Sequence, residues 1–212
     1  SIPFFKKNST FYDVYFIDGD HNFQTVYEEL NLIKKLTLID QDKPVCLLVH
    51  DTSWPWAYRD LYYDPEGINI ESDSYTNEKG VSLYSSSPVQ DGLPNSSYYC
   101  SVKEGGEQNG VKKAVEVFLA DNNEFDHCHI LSLFGLSILW TPGRLSKEQA
   151  TFFHNFQSNT EYYKEFLSIL EWNRVALYSQ NVNQSKEINE QRKKINDLEN
   201  LSIKSFLMKK FL

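Results

Sequence analysis

The sequence predicts an α/β protein, and three observations carry that prediction. Val14-Tyr15-Phe16-Ile17 is an aromatic and β-branched run that leads into Asp18-Gly19-Asp20-His21. Val45-Cys46-Leu47-Leu48-Val49 is a second apolar run, and it leads into His50-Asp51-Thr52. Between them Phe23, Val26, Tyr27, Leu30 and Ile33 recur at helical spacing on one stripe. A strand, a helix and a strand in this order form a right-handed crossover, which makes the two strands parallel neighbours. Runs of this composition suit strands covered on both faces.

The ends of the two strands are where chemistry is expected. Neighbouring strands lie about 4.8 Å apart, and in open α/β sheets ligands bind beyond the carboxyl ends of the strands. Asp18, Asp20, His21, His50 and Asp51 would share a small volume there. Carboxylates that close together need a counter-charge or must share protons. Carboxylate oxygens suit Mg²⁺, Ca²⁺ or Mn²⁺, and an imidazole shifts the preference towards transition metals. Two structural alternatives stand beside this reading. Asp20 or Asn22 can simply cap the following helix, and Arg59 can neutralise Asp51 or Asp60 in an ion pair.

Composition bounds the rest. The chain has 212 residues, 41% hydrophobic and 15% aromatic, which describes a folded domain with room for an appendage. A net charge of -8 argues against nucleic acid as a partner. Cys46, Cys100 and Cys128 form no CxxC pair, so a disulfide framework is not expected and a cytoplasmic setting is. Cys46 reads as a buried small hydrophobe. No apolar run is long enough to span a bilayer, and no signal peptide is visible. The chain opens at Ser1 and enters its first strand almost at once, so it is expected to be a carboxyl-terminal fragment of a longer domain. The Val14–Ile17 strand should then keep a partly uncovered apolar flank.

Beyond Asp51 the pattern changes. Trp54, Trp56, Arg59 and Tyr62 lie in an aromatic-rich segment, and residues 66–110 are aperiodic and rich in Ser, Gly, Asn and Pro. A stretch of that length within a domain reads as a lid-like insertion, about 53–110. Its alternative is that the aromatics merely pack on the sheet edge. The Gly105–Gly110 stretch reads as a flexible return from that lid into a helix carrying Val111, Ala114, Val115, Phe118 and Leu119. His129–Phe134 and Leu136–Trp140 read as two strands around Gly135 that close the sheet antiparallel, with His127 and His129 on the surface. Ser146-Lys147-Glu148-Gln149 fits a capping box. It opens a helical extension, 146–212, with a break expected at Ser158-Asn159. Ile188, Ile195 and Leu198 suggest a short coiled coil and self-association. The last ten residues, basic and apolar, suit a membrane surface, a partner helix or a fraying end.

At Phe16-Ile17-Asp18-Gly19-Asp20-His21 and Val49-His50-Asp51-Thr52 the chain resembles the class I S-adenosylmethionine-dependent methyltransferases. It is closest in pattern to metal-dependent small-molecule and sugar O-methyltransferases with an IDGDH turn after the fourth strand and HD after the fifth. Trp54-Pro55-Trp56 with Arg59-Asp60-Leu61-Tyr62-Tyr63, and Glu104-Gly105-Gly106 with Asn109-Gly110-Val111, extend the resemblance, which covers Tyr12 to Trp140. It implies a Rossmann-like methyltransferase sheet over residues 1–145 whose amino-terminal strands are missing, followed by the helical extension. It implies S-adenosylmethionine as cofactor, with its binding residues expected upstream of Ser1, so the chain as given is expected to be inactive alone. It implies a divalent metal at Asp18, His50 and Asp51, with His50 in place of an oxygen ligand. His21 matches a general base, and Trp54, Trp56, Arg59 and Tyr62 would line the acceptor or the lid. The expected activity is O-methylation of a sugar or other small hydroxylated acceptor. Its competitors are a metal-dependent hydrolase or oxygenase using the same His/Asp cluster, and an inactive methyltransferase-like assembly module.

Overall fold

A computed structural model describes residues 1–40, 42–90, 92–93 and 98–210, with side chains through Asn200. Helix α1 (Ile2–Lys7) precedes strand β1 (Val14–Ile17). Helix α2 (Phe23–Thr37) starts at Asn22, whose side chain accepts from Thr25 N at 2.8 Å. That settles the cap in favour of Asn22, because Asp20 bonds the His21 amide instead. Val26, Leu30 and Ile33 are fully buried along the expected stripe. Strand β2 (Cys46–His50) then pairs with β1 in parallel, from Val14 opposite Cys46 to Ile17 opposite Val49.

Five short strands follow: β3 (Leu61–Tyr62), β4 (Tyr75–Thr76), β5 (Gly80–Ser82), β6 (Ser85–Val89) and β7 (Tyr99–Ser101). They build a three-stranded sheet in the order β3-β7-β4 and a β5-β6 hairpin. The aperiodic lid expected here is thus a folded insertion. Strands of two to five residues are too short to show a period, and T-shaped contacts of Tyr75 with Tyr62 and Tyr99 pack them. Helix α3 (Val111–Asp121) starts from Gly110, with φ +94°. A Cβ at Gly110 would lie 2.4 Å from the Ala57 carbonyl oxygen, so the backbones meet where only glycine fits.

Strands β8 (Asp126–Ile130) and β9 (Leu136–Trp140) are antiparallel to each other, and β9 is antiparallel to β2. The result is a mixed four-stranded sheet, β1-β2-β9-β8. The closing pair is as expected, but its first strand begins earlier and ends at Ile130, leaving residues 131–135 as the turn. Helix α4 (Lys147–Tyr162) begins with the full capping box of Ser146 and Gln149. It runs unbroken through Ser158-Asn159 and stops at Tyr163, where helix α5 (Lys164–Lys210) follows. A polar pair at exposed helical positions costs too little to stop a helix.

Two layers of core flank the sheet. On one face Cys128, Ile138 and Trp140 are covered by Phe153 and Phe156 of α4, with Trp140 and Phe153 stacked at 4.6 Å. Tyr15, Ile17, Leu47, Val49 and Leu139 alternate onto the other face, where α2 and α3 pack together with buried apolar stripes. β1 is covered on one face only: Val14 is 55% and Phe16 60% exposed. The cover of α4 lies over β8 and β9, and β1 is at the opposite edge of the sheet. Cys46 is half-buried rather than buried, and the three cysteines are free.

The chain divides into two units, Ser1–Trp172 and Asn173–Leu212, so α4 belongs with the sheet and the division falls within α5 rather than at residue 146. In the second unit Ile188, Ile195 and Leu198 are exposed. The side chains of the basic, apolar end from Ile203, and all of Phe211 and Leu212, lie outside the described residues. Among the described residues no helix is long and apolar enough to cross a membrane.

Candidate functional site

Parallel pairing of β1 and β2 brings the residues after Ile17 beside those after Val49. Asp51 adopts φ +59°, a left-handed conformation that Asp tolerates better than most residues, and the chain turns sharply there. The outcome is a connected cluster. His50 Nδ1 lies 3.0 Å from Asp18 Oδ1 and 3.4 Å from Asp51 Oδ2. Asp51 Oδ2 also lies 3.0 Å from His21 Nδ1. One ligand atom each from Asp18, His50 and Asp51 falls within 4.8 Å of the others. Asp51 is buried, His50 half-buried and Asp18 exposed, so the cluster opens to solvent on the Asp18 side.

The donor set fits a divalent cation. His50 Nε2 lies 2.9 Å from the Leu133 carbonyl oxygen. A carbonyl can only accept, so Nε2 carries the hydrogen, and a neutral ring then turns the Nδ1 lone pair towards both carboxylates. An imidazole fixed through its far nitrogen by a carbonyl is the usual support of a metal-binding histidine. A proton on Nδ1 would serve the same carboxylates as an ion pair.

His21 is held at both ring nitrogens. Nδ1 bonds Asp51, and Nε2 lies 3.1 Å from the Tyr63 hydroxyl. Burial opposes the charged form of His21, but the hydrogen bond and charge of Asp51, with Asp18 and Asp20 nearby, outweigh it and raise the ring above its ordinary range. The hydrogen bond to Asp51 also selects the tautomer with Nδ1–H, which leaves the Nε2 lone pair facing Tyr63.

The aromatic segment behaves differently from expectation. Arg59 is 2% exposed and points into the insertion, where it donates to the carbonyls of Ser101 and Ser86 and pairs with Glu104 at 3.2 Å. It meets neither Asp51 nor Asp60, so the ion pair that stood as the alternative to a metal does not form, and Arg59 is turned into the insertion rather than towards the site. Tyr62 is buried and donates to Asp60 Oδ2, and Trp56 is buried as well. Trp54 is half-buried and lines a cavity of 230 Å³ with Thr52, Ser53 and His129. The residue of this segment that reaches the site is Tyr63. Tyr63 directly follows the buried pair Leu61 and Tyr62 and is itself exposed. No local pattern in the segment marks it.

Two further groups had no signal in the sequence. Asp60 Oδ1 accepts from Phe23 N at 2.7 Å and Gly110 N at 2.6 Å, so one carboxylate serves the starts of α2 and α3 together. His129 is half-buried rather than a free surface residue. Its Nδ1 lies 3.2 Å from Thr52 Oγ1 and Ser137 Oγ, and its Nε2 lies 3.2 Å from Ser53 Oγ. Burial, with the charges of Lys112, His127 and Lys164 adding to it, pushes this ring down to about 4. His127 is exposed, as expected.

No protein-family model, no curated protein and no solved structure matches the chain. The functional reading therefore stands on the cluster and on the motifs that compose it.

Proposed function

We propose that the cluster is the acceptor-activating part of a metal-assisted O-methyltransferase of the S-adenosylmethionine-dependent class, on a Rossmann-like sheet, acting on a sugar or other small hydroxylated molecule. The observation that carries this reading is the convergence of Asp18, His50 and Asp51 on one point, with His21 bonded to the same Asp51 oxygen. The parallel β1–α2–β2 unit and the antiparallel closing strands accord with the resemblance.

Asp18 Oδ1, His50 Nδ1 and Asp51 Oδ2 would hold the cation. Bound there, a divalent cation lowers the pKa of an acceptor hydroxyl and orients it. His21 Nε2 takes the hydroxyl proton as the oxygen becomes a nucleophile. Asp51 holds His21 in the required tautomer and stabilises the imidazolium that forms. The Tyr63 hydroxyl, on an exposed side chain, now occupies the place an acceptor hydroxyl would take against Nε2. The methyl donor in this reading is S-adenosylmethionine. No described residue is assigned to it, and the chain's own contribution lies on the acceptor side.

The test is methyl transfer from labelled S-adenosylmethionine to hydroxylated acceptors, by the chain joined to the cofactor-binding part that the resemblance implies, with and without Mg²⁺ or Mn²⁺. Activity should require the cation and fall by about a hundredfold or more in Asp51→Ala, the scale expected when a charged group at the reacting centre is lost. Full activity with excess chelator would remove the metal from the mechanism. Full activity in Asp51→Ala would remove the whole cluster.

A further inference from the structure

Helix α5 meets the turn beside the candidate centre through Glu171. The turn between β8 and β9 contains two successive non-glycine residues in the left-handed region, Leu133 at φ +55° and Phe134 at φ +67°. That conformation is disfavoured for L-residues with bulky side chains and persists only where the surroundings hold it. Here the holder is Glu171. Its Oε2 accepts from Leu133 N at 2.8 Å and its Oε1 from Phe134 N at 2.8 Å. Successive amides in such a turn form a concave donor pair suited to an anion, and a carboxylate with both oxygens engaged fills it. The side chain is 9% exposed, so these bonds are shielded from water.

The turn held in this way does one thing for the site. It presents the Leu133 carbonyl to His50 Nε2. The same turn is fixed from the other side by Ser53 N on the Phe134 carbonyl at 2.6 Å. We propose that Glu171 is a positioning residue for the cation centre: it sets the Leu133 carbonyl, which keeps the hydrogen of His50 on Nε2 and the Nδ1 lone pair on the cation. The inference rests on the reading that Asp18, His50 and Asp51 hold a cation. It adds that the helical extension contributes to the site through Glu171, a residue that touches no reacting atom.

Two measurements test it. Mn²⁺ affinity is measured by calorimetry on the wild-type chain and on Glu171→Gln, which keeps the size but offers one acceptor oxygen for two amides. Loss of outer support for a metal-binding histidine weakens binding by roughly 10- to 100-fold, and a drop of at least about tenfold is expected. Separately, ¹⁵N spectra of the histidine rings in the wild-type chain, titrated with Zn²⁺, should show His50 binding through Nδ1 with its hydrogen on Nε2. That measurement can overturn the role even if Glu171→Gln does not fold. Unchanged Mn²⁺ affinity in a folded Glu171→Gln chain, or Zn²⁺ on Nε2, overturns the role of Glu171 while leaving the cation centre standing. A wild-type chain that binds neither metal removes the centre and, with it, the role of Glu171.

Discussion

His129 makes the stability of this protein depend on pH in a way that can be computed. The ring sits against Thr52, Ser53 and Ser137, whose hydroxyls donate or accept as a neutral imidazole requires. Burial holds its pKa at about 4, against an ordinary 6.5. Between those values the unfolded chain binds a proton that the folded chain refuses, so the stabilisation is complete above the ordinary pKa and is lost as pH falls towards the folded one. Each pH unit of that gap corresponds to about 1.4 kcal/mol, so the full loss approaches about 3 kcal/mol, with about 2 kcal/mol gone by about pH 5. Urea unfolding of wild type and His129→Gln between about pH 7.5 and 4.5 isolates this contribution, because the carboxylates common to both chains cancel in the difference. With a slope near 2 kcal/mol per molar urea, the wild-type midpoint should fall by about 1 M more than that of the variant over this range. The exposed neighbour His127, whose charge is a lesser cause than burial, should leave most of the wild-type slope in place when changed to Gln. Parallel curves for wild type and His129→Gln would refute the half-buried, neutral imidazole.

Two other substitutions probe the site and its frame. Tyr63→Phe removes the hydroxyl on His21 Nε2; if an acceptor takes that place, steady-state kinetics should show kcat held within about threefold and KM unchanged or lower, because a single neutral hydrogen bond to the exposed Tyr63 contributes only about 1 kcal/mol. A hundredfold fall in kcat would instead make Tyr63 part of the proton path. Asp60→Ala leaves Phe23 N, Gly110 N and the Tyr62 hydroxyl without their acceptor. At about 1–3 kcal/mol for each unpaired buried donor, at least about 3 kcal/mol should be lost in urea or thermal unfolding. Asp60→Asn, which keeps one acceptor oxygen, should lose less; an unchanged midpoint in Asp60→Ala would show that the two helix starts do not depend on this carboxylate.

What was legible in the sequence is what a local pattern can encode. β1, α2 and β2 show their periods over enough residues to be recognised, and parallel pairing alone brings Asp18, His50 and Asp51 together. The capping box at Ser146 is likewise local. What was not legible depends on partners distant in sequence. Arg59 reads as a residue of the acceptor site or lid, or else as half of an ion pair with Asp51 or Asp60, yet its guanidinium turns to Ser86, Ser101 and Glu104, up to 45 positions downstream. The turn after β8 carries Leu131, Leu133 and Phe134, an apolar composition that reads as strand. Its left-handed residues are not selected by their own propensity.

The turn residues and Arg59 therefore share a physical cause. Where residue type and backbone conformation agree, the chain announces its structure. Where they disagree, as at Leu133 and Phe134, something else must compensate, and here it is a carboxylate 37 and 38 residues away. Leu133 is also the residue whose carbonyl meets His50. The same holds at Gly135, φ +89°, where a Cβ would lie 2.3 Å from Ser53 N. The chain that follows Asp51 packs so closely against this turn that neither can move without the other. The placement of His50 thus comes less from β1 and β2, which bring Asp18, His50 and Asp51 near one another, than from a turn whose own sequence would not choose its shape.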